Sequence, residues 1–299
     1  MKRILVPTDF SKPAENALAF ANKLAARLGA DIVLLHCAHI PELSAEAHAA
    51  AVQKLQHFSE RLRYQQPVRQ EGRRIRYDYV VQQGCLQNHV LNLAEKNPFD
   101  LIVMPLEFSD CEPAEFPGSH AASLMEVVEC PVLLVPNNAR LQQLSKLVFA
   151  TDFTDQDPRV LQQIGVFAEI FHSHLSVVQV YGKAERNQLH VYKQGIKELQ
   201  QTIHYPALSC HLVEEEDLLE GICDFAEKQQ ADMLVLATQD SFLFRNLFDI
   251  SYTKTRAYHT QVPVLAFHQH KQKPCASCCK QCADRKDAES ANKTPALLV

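Results

Sequence analysis

The sequence predicts an α/β protein of two tandem domains, each built on a parallel sheet with helices on both faces. Three observations predict this fold. Blocks of sequence recur in the same order along the 299 residues. Each copy alternates short apolar runs with longer segments of helical periodicity. The apolar runs are continuous, which is typical of strands that are buried on both faces of a sheet.

The recurrence indicates a duplicated domain. The matched blocks share their order of apolar and polar residues, and they are Ile4–Ser11 with Leu147–Thr154, Asp100–Pro105 with Asp232–Ala237, and Cys130–Val135 with Val262–Phe267. The offset is 143 residues for the first pair and 132 for the other two. We therefore predict a first domain at 1–137, a second, degenerate domain at 146–268, and a polar, cysteine-rich tail at 269–299.

Strands and helices of the first copy can be assigned in order. The apolar runs that predict its strands end at Asp, Pro or polar residues, and they are Ile4–Val6, Ile32–Leu35, Leu101–Met104 and Val132–Val135. The segment between the first two runs has apolar residues on one helical face from Pro13 to Leu28. Ser11 is the predicted N-cap of this helix and Gly29 its C-terminal stop. In the second copy, Thr154, Asp157 and Pro158 predict a similar helix start.

Composition excludes several function classes. The eight glycines are at least 12 residues apart, so neither a G-x-G-x-x-G dinucleotide fingerprint nor a Walker A loop is present. The net charge of −5 gives no support for a nucleic-acid or anionic membrane partner. The apolar runs are far shorter than the roughly 18 residues that a membrane-spanning helix needs.

The N-terminal segment and the positions of the cysteines both bear on the cellular compartment of the protein. We interpret Met1–Pro7 as a first strand and not as a signal peptide, because Pro-Thr-Asp interrupts its apolar stretch. A cytoplasmic protein is therefore expected. In that compartment thiols stay reduced, and we expect reduced, mostly buried thiols at the six scattered cysteines, Cys37, Cys85, Cys111, Cys130, Cys210 and Cys223.

A series of ordered motifs resembles the universal stress protein family. The motifs are Pro7–Ser11 (Pro-Thr-Asp-Phe-Ser), Leu34–Cys37, Val80–Gly84, Asp100–Met104, Gly118-Ser119 and Cys130–Val135, and the resemblance covers both copies. It implies two Rossmann-like domains of the adenine nucleotide alpha hydrolase-like type. Each would have a five-stranded parallel sheet in the order 3-2-1-4-5. It also implies that two domains pair across their last strands, within one chain or in a homodimer.

The resemblance further implies an ATP site, which this sequence retains only in part. The matching positions in the first copy are Asp9 after strand 1, Cys37 beside the base, and Gly118 with Ser119 in the phosphate loop. For Asp9 and for Asp152 in the second copy, the alternative role is helix capping and loop anchoring. Gly118-Ser119 is equally consistent with a plain turn and N-cap.

The phosphate loop of the family has the form G-x-x-G-(nine residues)-G-[ST], and its other glycines are missing here. Pro105 and Phe108 stand at the first two glycine positions of the first copy, and the second copy has Ala237, Asp240 and Ile250. The segment 106–117 carries four carboxylates and no basic residue. We therefore expect a vestigial or weak nucleotide site in the first domain and no bound cofactor.

The tail places four thiols within eight residues, at Cys275, Cys278, Cys279 and Cys282. The spacing of a C-x-x-C unit lets one turn present two thiolates to zinc or copper(I), although the two units touch here where zinc sites usually separate them. A redox-active thiol cluster and a tail without defined chemistry are the alternatives.

These observations favour a non-catalytic stress-response protein that acts through dimer or partner surfaces, with an unidentified protein as its partner. No G-x-S-x-G or H-E-x-x-H motif is present, and we predict no catalytic residues. Two alternatives stay open. One is a regulator that retains an ATP site in the first domain, and the other is a metal- or thiol-sensing protein that works through the tail.

Overall fold

The computed structural model describes residues 2–38, 43–65, 74–111, 113–141, 143–151, 157–238, 247–248 and 262–268. In the first domain the elements are β1 (Arg3–Pro7), α1 (Lys12–Leu28), β2 (Asp31–Ala38), α2 (Ala45–Gln65), β3 (Tyr77–Gln83), α3 (Leu86–Lys96), β4 (Leu101–Pro105), α4 (Ser119–Met125) and β5 (Val132–Val135). In the second domain they are β6 (Lys146–Ala150), α5 (Pro158–Phe171), β7 (His174–Tyr181), a 3₁₀ helix (Lys183–Gln188), α6 (Leu189–Ile203), β8 (Leu208–Glu214), α7 (Leu218–Gln229), β9 (Met233–Thr238) and β10 (Val264–His268).

The strands of the described residues form one sheet in the order β3-β2-β1-β4-β5-β10-β9-β6-β7-β8. Each half therefore has the predicted order 3-2-1-4-5, with parallel neighbours throughout. The halves meet at β5 and β10, which pair antiparallel, with Leu265 opposite Leu133. The predicted α/β fold and the pairing of two domains across their last strands are confirmed.

Helices cover both faces of this sheet, and successive side chains of each strand pack alternately into two hydrophobic cores. In β1, Ile4 and Val6 belong to the core shared with α1, α2, α5 and α6. Leu5 between them belongs to the core shared with α3, α4 and α7. Successive strand residues point to opposite faces, so a strand that is covered on both sides has to be apolar throughout. This explains the continuous apolar runs of the sequence.

Helix ends follow the predicted signals. Ser11 caps α1 by accepting a hydrogen bond from Ala14 N–H at 3.2 Å, and Gly29 ends that helix in the left-handed conformation, with φ +64°. In the second domain, α5 begins at Pro158 behind Asp157, whose carboxylate accepts from Arg159 N–H at 2.9 Å. Thr154, the first residue of the predicted start, lies outside the described residues.

None of the described helices is both long enough and apolar enough to cross a bilayer.

Candidate functional site

The candidate site of the first domain lies at the carboxyl ends of β1, β2 and β4. The strand order reverses between β1 and β4, and the crevice at such a reversal is the usual ligand site of open α/β sheets. Residues 106–117 connect β4 to α4 at this crevice and are called the β4–α4 loop below. Within this loop, Glu112 lies outside the described residues.

Asp9 follows β1 and binds backbone of its own chain. Its Oδ1 accepts a hydrogen bond from Ser11 N–H at 2.9 Å, at the start of α1. Its Oδ2 accepts one from Ser109 N–H at 3.0 Å, across the crevice in the β4–α4 loop. Both carboxylate oxygens therefore have a backbone donor, which matches the capping and anchoring role that the sequence left open.

The amides of Gly118 and Ser119 also bind within the loop. Gly118 N–H donates to the carbonyl of Leu106 at 2.8 Å, and Ser119 N–H donates to the carbonyl of Phe116 at 3.0 Å. The Ser119 hydroxyl is buried and has no hydrogen-bond partner among the residues that the structure describes. The two backbone donors at the remaining glycine of the phosphate loop are thus already used.

Gly118 is also closely surrounded by apolar side chains. Its φ of +87° is left-handed, and a Cβ at this position would lie 3.0 Å from Leu134 Cδ2 and 3.2 Å from Leu106 Cδ1. Phe248 of the second domain contributes a further carbon at 3.6 Å. The left-handed backbone favours glycine here, and an added methyl group would have to displace the ends of two leucine side chains.

The first part of the β4–α4 loop supplies more apolar filling. Leu106 and Phe108 are both buried, with 5% and 8% of their surfaces exposed. The Phe108 ring meets the ring of His120 edge to face, with 6.0 Å between their centres. Phe108 stands at the second glycine position of the family pattern. A buried aromatic side chain therefore fills space that stays empty when this residue is glycine.

Two further contacts tie the loop to the start of α3. The carboxylate of Asp110 accepts a hydrogen bond from Leu86 N–H, at 3.1 and 3.2 Å from its two oxygens. Cys85 and Cys111 form a disulfide, with their Cα atoms 5.3 Å apart. The expectation of reduced thiols is wrong for these two cysteines. The reason is topological, because the turn after β3 and the loop after β4 meet at the same end of a parallel sheet.

Cys37 lies below this loop in β2. It is 5% exposed, and burial, reinforced by the negative charge of Asp110, raises the pKa of its thiol to about 12. A thiol with so high a pKa stays protonated, which makes it a poor nucleophile and a poor metal ligand. The structure thus brings Cys37 and Asp9 to the same end of the sheet, each next to the β4–α4 loop.

The model of the universal stress protein family matches residues 1–136 and again 144–268. The chain belongs to the universal stress protein family. No match was found among curated proteins.

Solved structures of universal stress proteins share this fold. A universal stress protein from Archaeoglobus fulgidus DSM 4304 aligns with a TM-score of 0.62 at 14% identity, covering 90% of this chain and 98% of that one. A universal stress protein from Pseudomonas aeruginosa UCBPP-PA14, described there as putative, aligns with a TM-score of 0.58 at 18% identity, covering 90% and 93%. A protein of unknown function from Pseudomonas aeruginosa PAO1 gives 0.57 at 16% identity, covering 98% of both chains.

The second universal stress domain has a cavity at the equivalent end of its sheet. The cavity measures about 360 Å³ and is lined by the ends of β6, β7 and β9. Three carboxylates lie on its wall, those of Glu185, Glu215 and Glu216. Glu185 accepts a hydrogen bond from Gly182 N–H at 2.9 Å, and Glu216 accepts one from Lys183 N–H at 3.3 Å, so both fix the turn after β7.

Several predicted site residues of this universal stress protein lie outside the described residues. They are Asp152 of the second domain and the tail cysteines Cys275, Cys278, Cys279 and Cys282, and the same holds for Asp240 and Ile250, which replace glycines of the phosphate-loop pattern. Within the described ranges, no group of three or more His, Cys, Asp or Glu side chains is arranged to hold a metal ion.

Sequence reasoning missed Ser109, the disulfide and the cavity of the second domain. For the disulfide a signal was present. Cys85 follows Gly84, the turn of a matched motif, and Cys111 lies in the segment with phosphate-loop spacing. Both motifs belong to the carboxyl end of one sheet.

Proposed function

We propose that this chain is a non-catalytic universal stress protein whose first domain covers its nucleotide position with its own β4–α4 loop. It acts in the stress response by binding a partner protein. The observation that carries the proposal is the use of the Gly118 and Ser119 amides by the carbonyls of Leu106 and Phe116. A phosphate bound in the family manner needs such amides free.

The residues around the crevice do not fit a triphosphate. The carboxylates of Asp9 and Asp110 already accept backbone hydrogen bonds there, and Glu107 and Glu115 add two exposed negative charges to the loop. The loop has no Lys or Arg to offset them. Repulsion between like charges falls with exposure but persists over several ångströms. Packing and charge therefore both oppose ATP at this end of the first domain.

The cavity of the second domain gives no comparable support for a nucleotide. Its lining combines apolar residues, Val180 and Ile222 among them, with three glutamates. A triphosphate placed there would meet negative charge on the same side as the turn after β7. The proposal therefore extends to the part of the second domain that the structure describes.

Calorimetric titration of the full-length chain with ATP and Mg²⁺ tests this proposal. We expect no saturable heat and no phosphate release. Micromolar binding that disappears in Asp9→Ala or Gly118→Val would contradict the proposal and establish the alternative, a regulator with one nucleotide site in the first domain. Micromolar binding that survives both substitutions would also contradict it, since the nucleotide would then occupy another part of the chain.

A further inference from the structure

Between its two ends, the β4–α4 loop has three described links to other segments of the first domain. Two are hydrogen-bonded, between Asp9 and Ser109 and between Asp110 and Leu86. The third is the covalent link between Cys85 and Cys111. A hydrogen bond can open and re-form by local fluctuation, whereas a disulfide holds its two segments together until it is chemically broken.

One of the two cysteines of this disulfide is exposed at the protein surface. Cys111 belongs to an exposed stretch of the loop, and Cys85 is half-buried at the N-cap position of α3. Cys37 and Cys223 differ, since both are buried and burial raises the pKa of each thiol to about 12. Thiol–disulfide exchange requires access for the attacking thiolate, and Cys111 offers it.

We propose that Cys85 and Cys111 form a reversible thiol–disulfide exchange site that latches the β4–α4 loop over the carboxyl end of the first-domain sheet. The reductant is a dithiol. One of its sulfurs attacks as a thiolate at Sγ of Cys111, forming a mixed disulfide and releasing Cys85 as a thiolate that takes up a proton. Its second thiolate then attacks the mixed disulfide and releases Cys111. Two electrons pass to the protein, and the dithiol becomes a disulfide.

Reduction leaves the loop held by its two hydrogen-bonded contacts and by the burial of Leu106 and Phe108. Its outer part has little buried surface of its own, because Glu107, Ser109, Pro113 and Ala114 are all exposed. Segments with few buried contacts open locally at low free energy. The reduced loop therefore opens more often than the oxidised loop. The oxidation state of the disulfide thus sets how often the carboxyl end of the first-domain sheet is exposed to a partner protein. This inference goes beyond the proposed function, because the exchange chemistry does not depend on whether ATP binds.

The first test is a redox titration of the full-length chain in glutathione buffers, from strongly reducing to strongly oxidising. Free thiols are alkylated at each point and read by peptide mass spectrometry. We expect Cys85 and Cys111 to change state together while Cys37 stays a free thiol. Two results would overturn the proposal, namely Cys85 and Cys111 remaining free thiols in the most oxidising buffer, or either of them pairing with a different cysteine.

The second test measures amide hydrogen exchange in the β4–α4 loop before and after reduction with dithiothreitol. Reduction is expected to speed exchange at the loop amides, Ser109 N–H included, by roughly tenfold or more. Cys111→Ser should give the fast rates without any reductant. Cys210→Ser is the matched control, since it removes a half-buried cysteine of β8, and it should keep the response of the unmodified chain. Equal exchange in the oxidised and reduced states would show that the disulfide does not latch the loop.

Discussion

Replacement of Gly118 by alanine tests directly whether the first-domain crevice is filled. The substitution adds a single methyl group at a left-handed residue, where φ is +87°. That methyl would lie 3.0 Å from Leu134 Cδ2 and 3.2 Å from Leu106 Cδ1, which is closer than carbon atoms pack comfortably. Gly29→Ala is the matched control, because Gly29 is also left-handed, with φ +64°, but has nothing within 4 Å of the added carbon.

The expected loss of stability separates into two parts. A left-handed backbone costs a residue other than glycine about 1–2 kcal/mol. Inserting a methyl group into a tightly packed region costs about 1–3 kcal/mol more. Gly118→Ala should therefore lower the free energy of unfolding by about 2–5 kcal/mol, whereas Gly29→Ala should lower it by only the backbone part.

Urea unfolding of the oxidised full-length chain, followed by circular dichroism, measures both values. The difference between the two variants reports the packing of Leu106 and Leu134 around Gly118. If Gly118→Ala cost no more than Gly29→Ala, the added methyl would have met open space. The inference that apolar side chains fill this crevice would then be refuted.

Three other outcomes are expected. Reduction of the disulfide, or Cys111→Ser, should lower the free energy of unfolding by about 3.5 kcal/mol in the chain-entropy model for a separation of 26 residues, and a midpoint in urea that does not respond to dithiothreitol would contradict this. Asp9→Asn keeps an oxygen acceptor for one of the two amides and should cost about 1–2 kcal/mol, less than Asp9→Ala in the same urea unfolding series; equal losses would argue against the carboxylate as a backbone anchor. The third outcome concerns the tail cysteines, Cys275, Cys278, Cys279 and Cys282. If elemental analysis of protein purified without chelator finds zinc or copper, changing these cysteines to serine should remove the metal. Metal retained at the same ratio to protein would place its site elsewhere.

The fold was readable from the sequence because its signals are local and occur twice. Ile4–Val6 and its repeat at 147–149 are apolar without alternation, and this alone indicates a strand covered on both faces. Ser11 and Gly29 mark the ends of α1 through chemistry that acts within one helical turn. The matched order of the repeats then carried the same assignment into the second domain.

The candidate site was less readable, because its contacts join residues that are far apart in sequence. Asp9 meets Ser109 across 100 positions, and nothing local to either residue indicates the contact. Gly118 illustrates the difference further. Its position in the motif predicted either a phosphate contact or a plain turn and N-cap. The structure places it at the N-cap of α4 in the left-handed conformation, packed against Leu106, Leu134 and Phe248. Those neighbours come from three separate segments, and only the assembled sheet brings them together.

Crystallisation of the oxidised full-length chain with millimolar ATP and Mg²⁺ would test most directly whether the first domain closes its own nucleotide position. The decisive observation is the electron density at the carboxyl ends of β1 and β4. We expect the side chains of Leu106 and Phe108 in the crevice, the amide of Gly118 bonded to the carbonyl of Leu106, and no nucleotide between them. Density for a triphosphate beside Gly118 and Ser119, with the β4–α4 loop displaced, would contradict the account.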